Sequence, residues 1–241
     1  MSEPGSLLRS LSGRTTARNF HSYVINEIGA GVISGRFPIG TTLPNDAALI
    51  DEFGVSRTVL REALKTLEAK GLLEARPKIG TKVAKKNRWN LYDPQVLAWH
   101  LEAPPDREFL AGLNEVRQSL EPVGAGHAAV RRTADQIRLM QYWIRQMETS
   151  LDQPQNFCLA DFELHRIVAD ASHNPFIRAL FGVIELSHAF AYLQPVTRPG
   201  DGDLLPFLTL HRDLVHAIER GNEPDAKAAM SGVIAFEASP A

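Results

Sequence analysis

Apolar residues recur at helical spacing from residue 20 onward. Phe20, Val24, Ile28 and Val32 follow one another at four-residue steps, which predicts an amphipathic helix. Ser34-Gly35 ends this pattern. The residues before it mix arginine, serine and glycine without an apolar core, and we expect residues 1–14 to form a flexible arm.

Two further helices are predicted close together in the next segment. The first covers residues 46–53, with Asn45 as its N-cap and Gly54 after its end. The second begins behind Ser56, another residue type suited to an N-cap, and continues to Lys70. Two short helices joined by a tight turn are typical of a helix-turn-helix.

A hairpin is predicted directly after the second of these helices. Residues 72–75 and 80–84 have strand character, with Pro77 between them and Gly80 at the start of the second segment. A hairpin in this place is a wing, so the sequence predicts a winged helix-turn-helix over residues 15–86.

The rest of the chain separates into a linker and a helical domain. Residues 87–105 are rich in aromatic residues and proline, which favours a packed linker over a free tether. Residues 106–241 contain only helical patterns with short connections, which predicts an antiparallel all-helical bundle and a mainly α protein. The predicted helical segments are 106–131, 134–151, 155–172, 175–194, 204–221 and 223–237.

Charge is distributed unevenly between the two halves. Residues 1–90 hold 14 Lys and Arg against eight Asp and Glu, whereas residues 91–241 hold 12 against 20. The first half therefore suits a polyanion and the second does not. A single cysteine, Cys158, and the absence of a signal peptide or a membrane-length apolar run lead us to expect a cytoplasmic protein without a membrane partner.

The predicted second helix of the motif carries candidate DNA-reading residues at its start. Such a helix places its N-terminal residues in the major groove of double-stranded DNA, where arginine pairs with guanine edges. Basic residues on a wing suit phosphate contacts instead. The candidate DNA-binding residues are Ser56, Arg57, Thr58, Arg61, Lys78, Gly80 and Lys82.

Four polar side chains are predicted to face the core of the helical domain. Asp161 and His165 share a helix face with apolar residues, and His211 and Arg117 lie on the apolar faces of two other helices. Buried groups of this kind need partners. A carboxylate and two imidazoles suit a divalent metal such as zinc or nickel, although a hydrogen-bonded Asp–His cluster without metal satisfies the same spacing.

The segment "GTTLPNDAALIDEFGVSRTVLREALKTLEAKGLLEARPKIGTKVA" resembles the winged-helix domain of the GntR family of bacterial regulators. The resemblance covers residues ~20–85 and implies that Arg57, Arg61 and Gly80 contact DNA. Relatives often carry an arginine in the short helix where this chain has Ala47. A transcription regulator that binds an inverted-repeat operator as a homodimer is therefore expected.

The segments "ADFELHRIVADASHNPFI" and "LHRDLVHAIERGNEPDAKAAM" resemble the FCD effector domain of the FadR-like branch of that family. The resemblance implies metal binding through Asp161, His165 and His211, with a fourth histidine on the last helix. Val233 occupies that fourth position here. His188 is a possible substitute, but no pattern in the sequence places it.

The stretch "NRWNLYDPQVLAWHLE" is similar to regulators of sugar-acid operons, galactonate operons in particular. It implies a small carboxylate effector bound by Arg117, His165 and His211, and a repressor as the regulatory role. Two other classes stay open at this stage. One is a metal-dependent hydrolase that uses the Asp/His/His cluster, and the other is a purely structural DNA-binding protein.

Overall fold

The structure is a computed structural model that describes residues 20–104, 106–193 and 204–238. The predicted arm at residues 1–14 lies outside these ranges. The described residues divide into two compact units, one before and one after residue 105. Within the described ranges, no helix has both the length and the apolar character that crossing a membrane requires.

The N-terminal unit contains three helices, a two-stranded hairpin, a 3-10 turn and a fourth helix. Their bounds are α1 Phe20–Ile33, α2 Asp46–Phe53, α3 Arg57–Ala69, β1 Leu73–Arg76, β2 Gly80–Val83, the 3-10 turn Lys86–Arg88 and α4 Pro94–Glu102. Apolar faces of α1, α2 and α3 form one core with the inner side of the hairpin. The predicted winged helix-turn-helix is confirmed.

Capping residues set the positions of α2 and α3. The Asn45 side chain accepts a hydrogen bond from the backbone N–H of Ala48 at 3.0 Å, and Ser56 Oγ accepts one from Val59 at 3.3 Å. Gly54 takes the left-handed conformation, with φ of 63°, that ends α2 and turns the chain into α3. Both predicted N-caps are therefore confirmed, and they place the first turn of α3 at the surface.

The wing is an antiparallel hairpin extended by one bridge. Leu73 pairs with Val83 and Arg76 pairs with Gly80. Thr42, from the segment before α2, forms a bridge with Lys82 and so ties the wing to the helices. Gly80 has φ of 110°, a conformation that favours glycine.

Helix α4 lies inside the segment that the sequence predicted only as a packed linker. Asp93 caps it through Oδ1, which accepts from the backbone N–H groups of Gln95 and Val96. Trp99 of α4 packs on α1 at Gly29, where a Cβ would come within 2.4 Å of the indole ring. The helix therefore belongs to the core of the N-terminal unit.

The C-terminal unit is all helical in the ranges described. Its helices are α5 Arg107–Arg131, α6 Ala134–Glu148, α7 Pro154–Ala171, α8 Pro175–Ala179, α9 Phe181–Leu193, α10 Leu205–Glu219 and α11 Glu223–Ala238. Helix α5 packs against α7 and α11, and α10 packs against α11. The predicted single helix over 175–194 is wrong in one respect, because the chain breaks at Leu180 and forms α8 and α9.

Candidate functional site

Asp161 lies at the centre of a cluster of three histidines in the C-terminal core. Helix α7 carries Asp161 and His165 one turn apart on its buried face, α10 supplies His211 and α9 supplies His188. Asp161 Oδ1 lies 2.8 Å from His211 Nε2 and 3.4 Å from His165 Nε2, and Oδ2 lies 3.5 Å from His188 Nε2. All four residues are at most 2% exposed.

The second nitrogen of each ring fixes which atom faces Asp161. Nδ1 of His188 contacts the carbonyl of Ile184 at 3.0 Å, and Nδ1 of His211 contacts the carbonyl of Phe207 at 2.8 Å. A carbonyl only accepts, so each Nδ1 carries a proton and donates it. When such a ring carries a single proton, its Nε2 therefore presents a lone pair toward the carboxylate.

These contacts leave buried ligand atoms without hydrogen-bond partners. Asp161 Oδ1 and Nε2 of all three histidines lack a partner among the described residues. The ligand atoms of Asp161, His165 and His188 lie within 4.8 Å of one another. Lone pairs facing a carboxylate at 2.8 Å repel unless a proton or a cation lies between them, and unpaired buried polar atoms are costly. Three imidazoles and one carboxylate are a donor set that suits a divalent transition metal, so the residues fit one.

His188 lies beside the three residues that the sequence predicted as metal ligands. The family pattern expected a ligand at Val233, which is fully buried in the apolar core. The structure instead brings His188 from α9 to the same carboxylate as His165 and His211. The cluster therefore contains four polar side chains, of which Asp161, His165 and His188 bring their ligand atoms within 4.8 Å of one another.

Arg117 is buried in the core, and three side chains contact it. Its Nε donates to Glu121, and Nη1 donates to Glu237 and, at 2.8 Å, to Ser187 Oγ. Burial by itself would lower the pKa of the Arg117 guanidinium, but the adjacent carboxylates of Glu121 and Glu237 outweigh burial and raise the pKa. The arginine is therefore charged. Its Nη2 is buried and has no hydrogen-bond partner among the described residues.

Glu121 connects Arg117 to the histidine cluster. One carboxylate oxygen accepts from Arg117, and the other accepts from Nδ1 of His165. Burial would raise the pKa of Glu121, yet the charges of Arg117 and His165 outweigh burial and lower it to about 2. Sequence reasoning missed this residue, although it lies one turn after Arg117 on the same helix face.

The protonation of His165 follows from its two carboxylate neighbours. Burial opposes a charged ring, but Glu121 and Asp161 outweigh it and raise the pKa of His165 to about 10. In the absence of a metal the Nε2–H of His165 therefore faces Asp161, and a bound cation would displace this proton. Burial also opposes the charge of Asp161, but the neighbouring rings of His211 and His188 outweigh burial and lower the pKa of Asp161 well below its usual value. Asp161 is thus a carboxylate at neutral pH, as a metal ligand must be.

A cavity of about 380 Å³ lies beside Arg117. Arg117, Glu237, Ser187 and Asn114 give it a polar side, and Leu113 and Phe190 are among its apolar lining. None of the predicted metal ligands lines it. The geometry therefore separates the cavity from the histidine cluster and joins the two through Glu121.

The predicted DNA-reading residues lie together on the exposed start of α3 and on the wing. Ser56, Arg57, Thr58 and Arg61 are exposed, and Arg61 lies 3.7 Å from Asp46 of α2. The wing turn exposes Lys78, and Lys82 is half-buried.

Two family models match the chain, one in each of the two units. Residues 21–83 match the gntR family of bacterial regulatory proteins, and residues 113–236 match the FCD domain. The galactonate operon transcriptional repressor of Escherichia coli is 31% identical over 88% of this chain and 92% of its own length. The HTH-type transcriptional regulator YieP of Escherichia coli is also 31% identical, over 91% of this chain and 93% of its own length.

A solved structure supports the fold. The structure titled for Lar, which controls the expression of the Listeria monocytogenes agr system, has a TM-score of 0.62 and 16% identity, and the match covers 92% of this chain and 96% of that one. The families and relatives are transcription regulators rather than enzymes, so the hydrolase alternative has no support. The chain belongs to the GntR family of DNA-binding transcription regulators and carries a C-terminal FCD domain.

Proposed function

We propose that this regulator is a homodimeric repressor whose affinity for an inverted-repeat operator is controlled by a sugar acid bound in the C-terminal unit, near a divalent metal. The main support for the effector site is the charged Arg117, which lies on the polar side of the cavity and is joined by Glu121 to the histidine cluster. The 31% identity to a galactonate operon repressor supports a hydroxylated carboxylate as the ligand class.

The DNA-binding role rests on the first turn of α3. Arg57 and Arg61 lie one turn apart and are exposed, so both can reach base edges while Leu60 and Leu64 anchor the helix in the core. Lys78 and Lys82 of the wing suit phosphate contacts, which are independent of sequence. Gly80 gives the wing turn its backbone conformation and leaves room for close approach to the DNA.

The dimer follows from the length of DNA that one unit can read. A single recognition helix contacts only a few base pairs, and a two-fold dimer doubles that number on an inverted repeat. We therefore expect two copies of the chain on each operator.

Effector recognition divides between charge and hydroxyl groups. Arg117 provides the positive charge for the carboxylate, and Asn114 and Ser187 bring amide and hydroxyl groups to the same cavity for the sugar hydroxyls. His165 and His211 act with Asp161 and His188 as candidate metal ligands. The metal would supply a fixed positive charge that neutralises Asp161, and zinc or nickel suits this set.

The function can be tested by selecting DNA sites from a random library and titrating the complex with D-galactonate and D-gluconate. We expect an inverted-repeat consensus and a 5- to 150-fold loss of operator affinity at saturating effector, a coupling of ~1–3 kcal/mol. Thermal stability offers a second measurement, since a ligand at 100 times its Kd adds ~2.7 kcal/mol. Operator affinity that no sugar acid changes would contradict the effector, and a consensus without two-fold symmetry would contradict the dimer.

A further inference from the structure

The charge around Arg117 poses a problem for any anionic ligand. One guanidinium already contacts the carboxylates of Glu121 and Glu237, so the three groups together carry a net negative charge. All three side chains are largely buried, with exposed fractions of 2% for Arg117, 3% for Glu121 and 13% for Glu237. A further carboxylate cannot join this group at low cost, because like charges in a buried site repel strongly.

Of the two glutamates, only Glu237 is in a position to leave. Both oxygens of Glu121 are engaged, one with Arg117 and one with His165, inside the core. Glu237 lies near the end of the last helix, α11, and lines the cavity next to Arg117. A change of its side-chain torsions would move its carboxylate away from Arg117 toward water. Nη1 of Arg117 would then face the cavity.

We infer that Glu237 is an internal competitor of the effector: its carboxylate occupies the position on Arg117 that the carboxylate of a sugar acid takes when it binds. This inference rests on the proposed function for the identity of the ligand. It makes Glu237 a determinant of effector affinity and specificity, since only an anion that binds Arg117 better than Glu237 does can enter. It also links effector binding to the last turn of α11, which loses its ion pair with Arg117 of α5 when Glu237 leaves.

The test compares D-galactonate binding by the wild type, Glu237→Gln and Glu237→Ala, measured by calorimetry on the full chain. Because a neutral or absent side chain competes less well for Arg117, we expect the two variants to bind at least tenfold more tightly. Glu223→Gln is the matched control, since Glu223 lies on the same helix, is only half-buried and pairs with Lys227. It removes the same charge and should leave the affinity unchanged. D-Galactose lacks the carboxylate, so we expect it to bind all four proteins with the same affinity.

A second measurement separates displacement from a general change in charge. Hydrogen exchange at the backbone amides of the last turn of α11 should become faster when D-galactonate binds the wild type. In Glu237→Ala, where the contact is already gone, the ligand should not change that rate.

The outcomes distinguish this inference from the proposed function. If the wild type binds D-galactonate and Glu237→Gln binds it no more tightly, the inference is overturned and the effector site stands. The inference is also overturned if the affinity for D-galactonate rises as much in Glu223→Gln as in Glu237→Gln. If neither the wild type nor Glu237→Gln binds the sugar acid, both the effector proposal and the inference are overturned.

Discussion

The carboxylate of Glu121 accepts a hydrogen bond from Nδ1 of His165, and this contact directs Nε2 of the same ring toward Asp161. The other oxygen of Glu121 accepts from Arg117. A carboxylate that holds the outer nitrogen of a metal-binding histidine fixes the orientation of the ring and raises its basicity. Glu121 therefore ties the geometry of the candidate metal centre to the residue proposed to bind the effector.

Glu121→Gln tests this link. Glutamine keeps the shape but loses the charge that stabilises both His165 and Arg117, so we expect metal affinity to fall by 10- to 100-fold. The affinity is measured by competition with a chelator for zinc. Glu115→Gln, on the exposed side of the same helix, is the control and should bind as the wild type does. Equal affinity in all three proteins would show that Glu121 does not act on the metal ligands.

His188→Ala distinguishes a four-residue site from the three-residue site that the sequence predicted. If His188 is a ligand, the variant should bind zinc at least tenfold more weakly, whereas His165→Ala and His211→Ala should abolish binding. His216→Ala serves as the control, because His216 is an exposed histidine five residues after His211 on α10. Metal content per chain by elemental analysis gives the first measurement and chelator competition the second. Wild-type affinity in His188→Ala would restore the ligand set Asp161, His165 and His211.

Arg57→Ala tests base reading by α3. A bidentate contact with a guanine is worth ~1–3 kcal/mol, so the variant should lose that much on the operator and discriminate less at one position in each half-site. Lys78→Ala removes a charge from the wing and should weaken binding to operator and random DNA alike. Fluorescence anisotropy on both DNAs at two salt concentrations measures the difference. An equal loss on both DNAs for Arg57→Ala would assign Arg57 to the phosphate backbone.

The fold could be predicted from the sequence where each element has its own local signals. Asn45, Ser56 and Gly54 mark the ends of α2 and α3, and the structure uses each of them as predicted. The sequence does not predict α4, because the prolines and aromatic residues around it favour a linker. The pair Asp93-Pro94 is nonetheless a helix-start signal, with a capping side chain followed by proline in the first turn.

The candidate site was only partly predictable, because its residues come from helices of different character. Asp161 and His165 stand out on α7 as polar residues on an apolar face. Helix α9 is apolar on nearly every side, so its periodicity does not single out His188, although Ile184 one turn earlier is buried on the same face. Glu237 lies far along the chain from Arg117, and only the packing of α11 on α5 brings them together.

Gly29→Ala tests how tightly α4 is held on α1. The added methyl group would meet the ring of Trp99 at 2.4 Å, in a core where the indole is 2% exposed. Overpacking of this kind costs ~1–3 kcal/mol of stability. Gly112→Ala is the control, because a Cβ there meets nothing within 4 Å and alanine favours the helix. Thermal unfolding should show a loss for Gly29→Ala alone, and equal melting temperatures would mean that α4 moves aside without cost.

Arg117→Ala should destabilise the C-terminal unit as well as remove the effector's anion site. The substitution leaves Glu121 and Glu237 buried without their counter-charge, and breaking a buried ion pair in this way costs ~3–5 kcal/mol. Arg138→Ala, which breaks an exposed pair with Asp135, should cost less than ~1 kcal/mol. Urea denaturation measures both, and similar stability for the two variants would contradict the buried ion-pair network.

This cost decides which variant can report on effector binding. Arg117→Lys keeps a positive charge for the two glutamates but replaces the planar guanidinium fork with a single ammonium group. It should therefore retain most of the stability and the full operator affinity while its response to D-galactonate falls, because the bidentate contact with a carboxylate is lost. Operator binding with and without D-galactonate, measured on protein shown to be folded, provides the check. A full effector response in Arg117→Lys would mean that the arginine only balances Glu121 and Glu237, and that the sugar-acid carboxylate binds elsewhere.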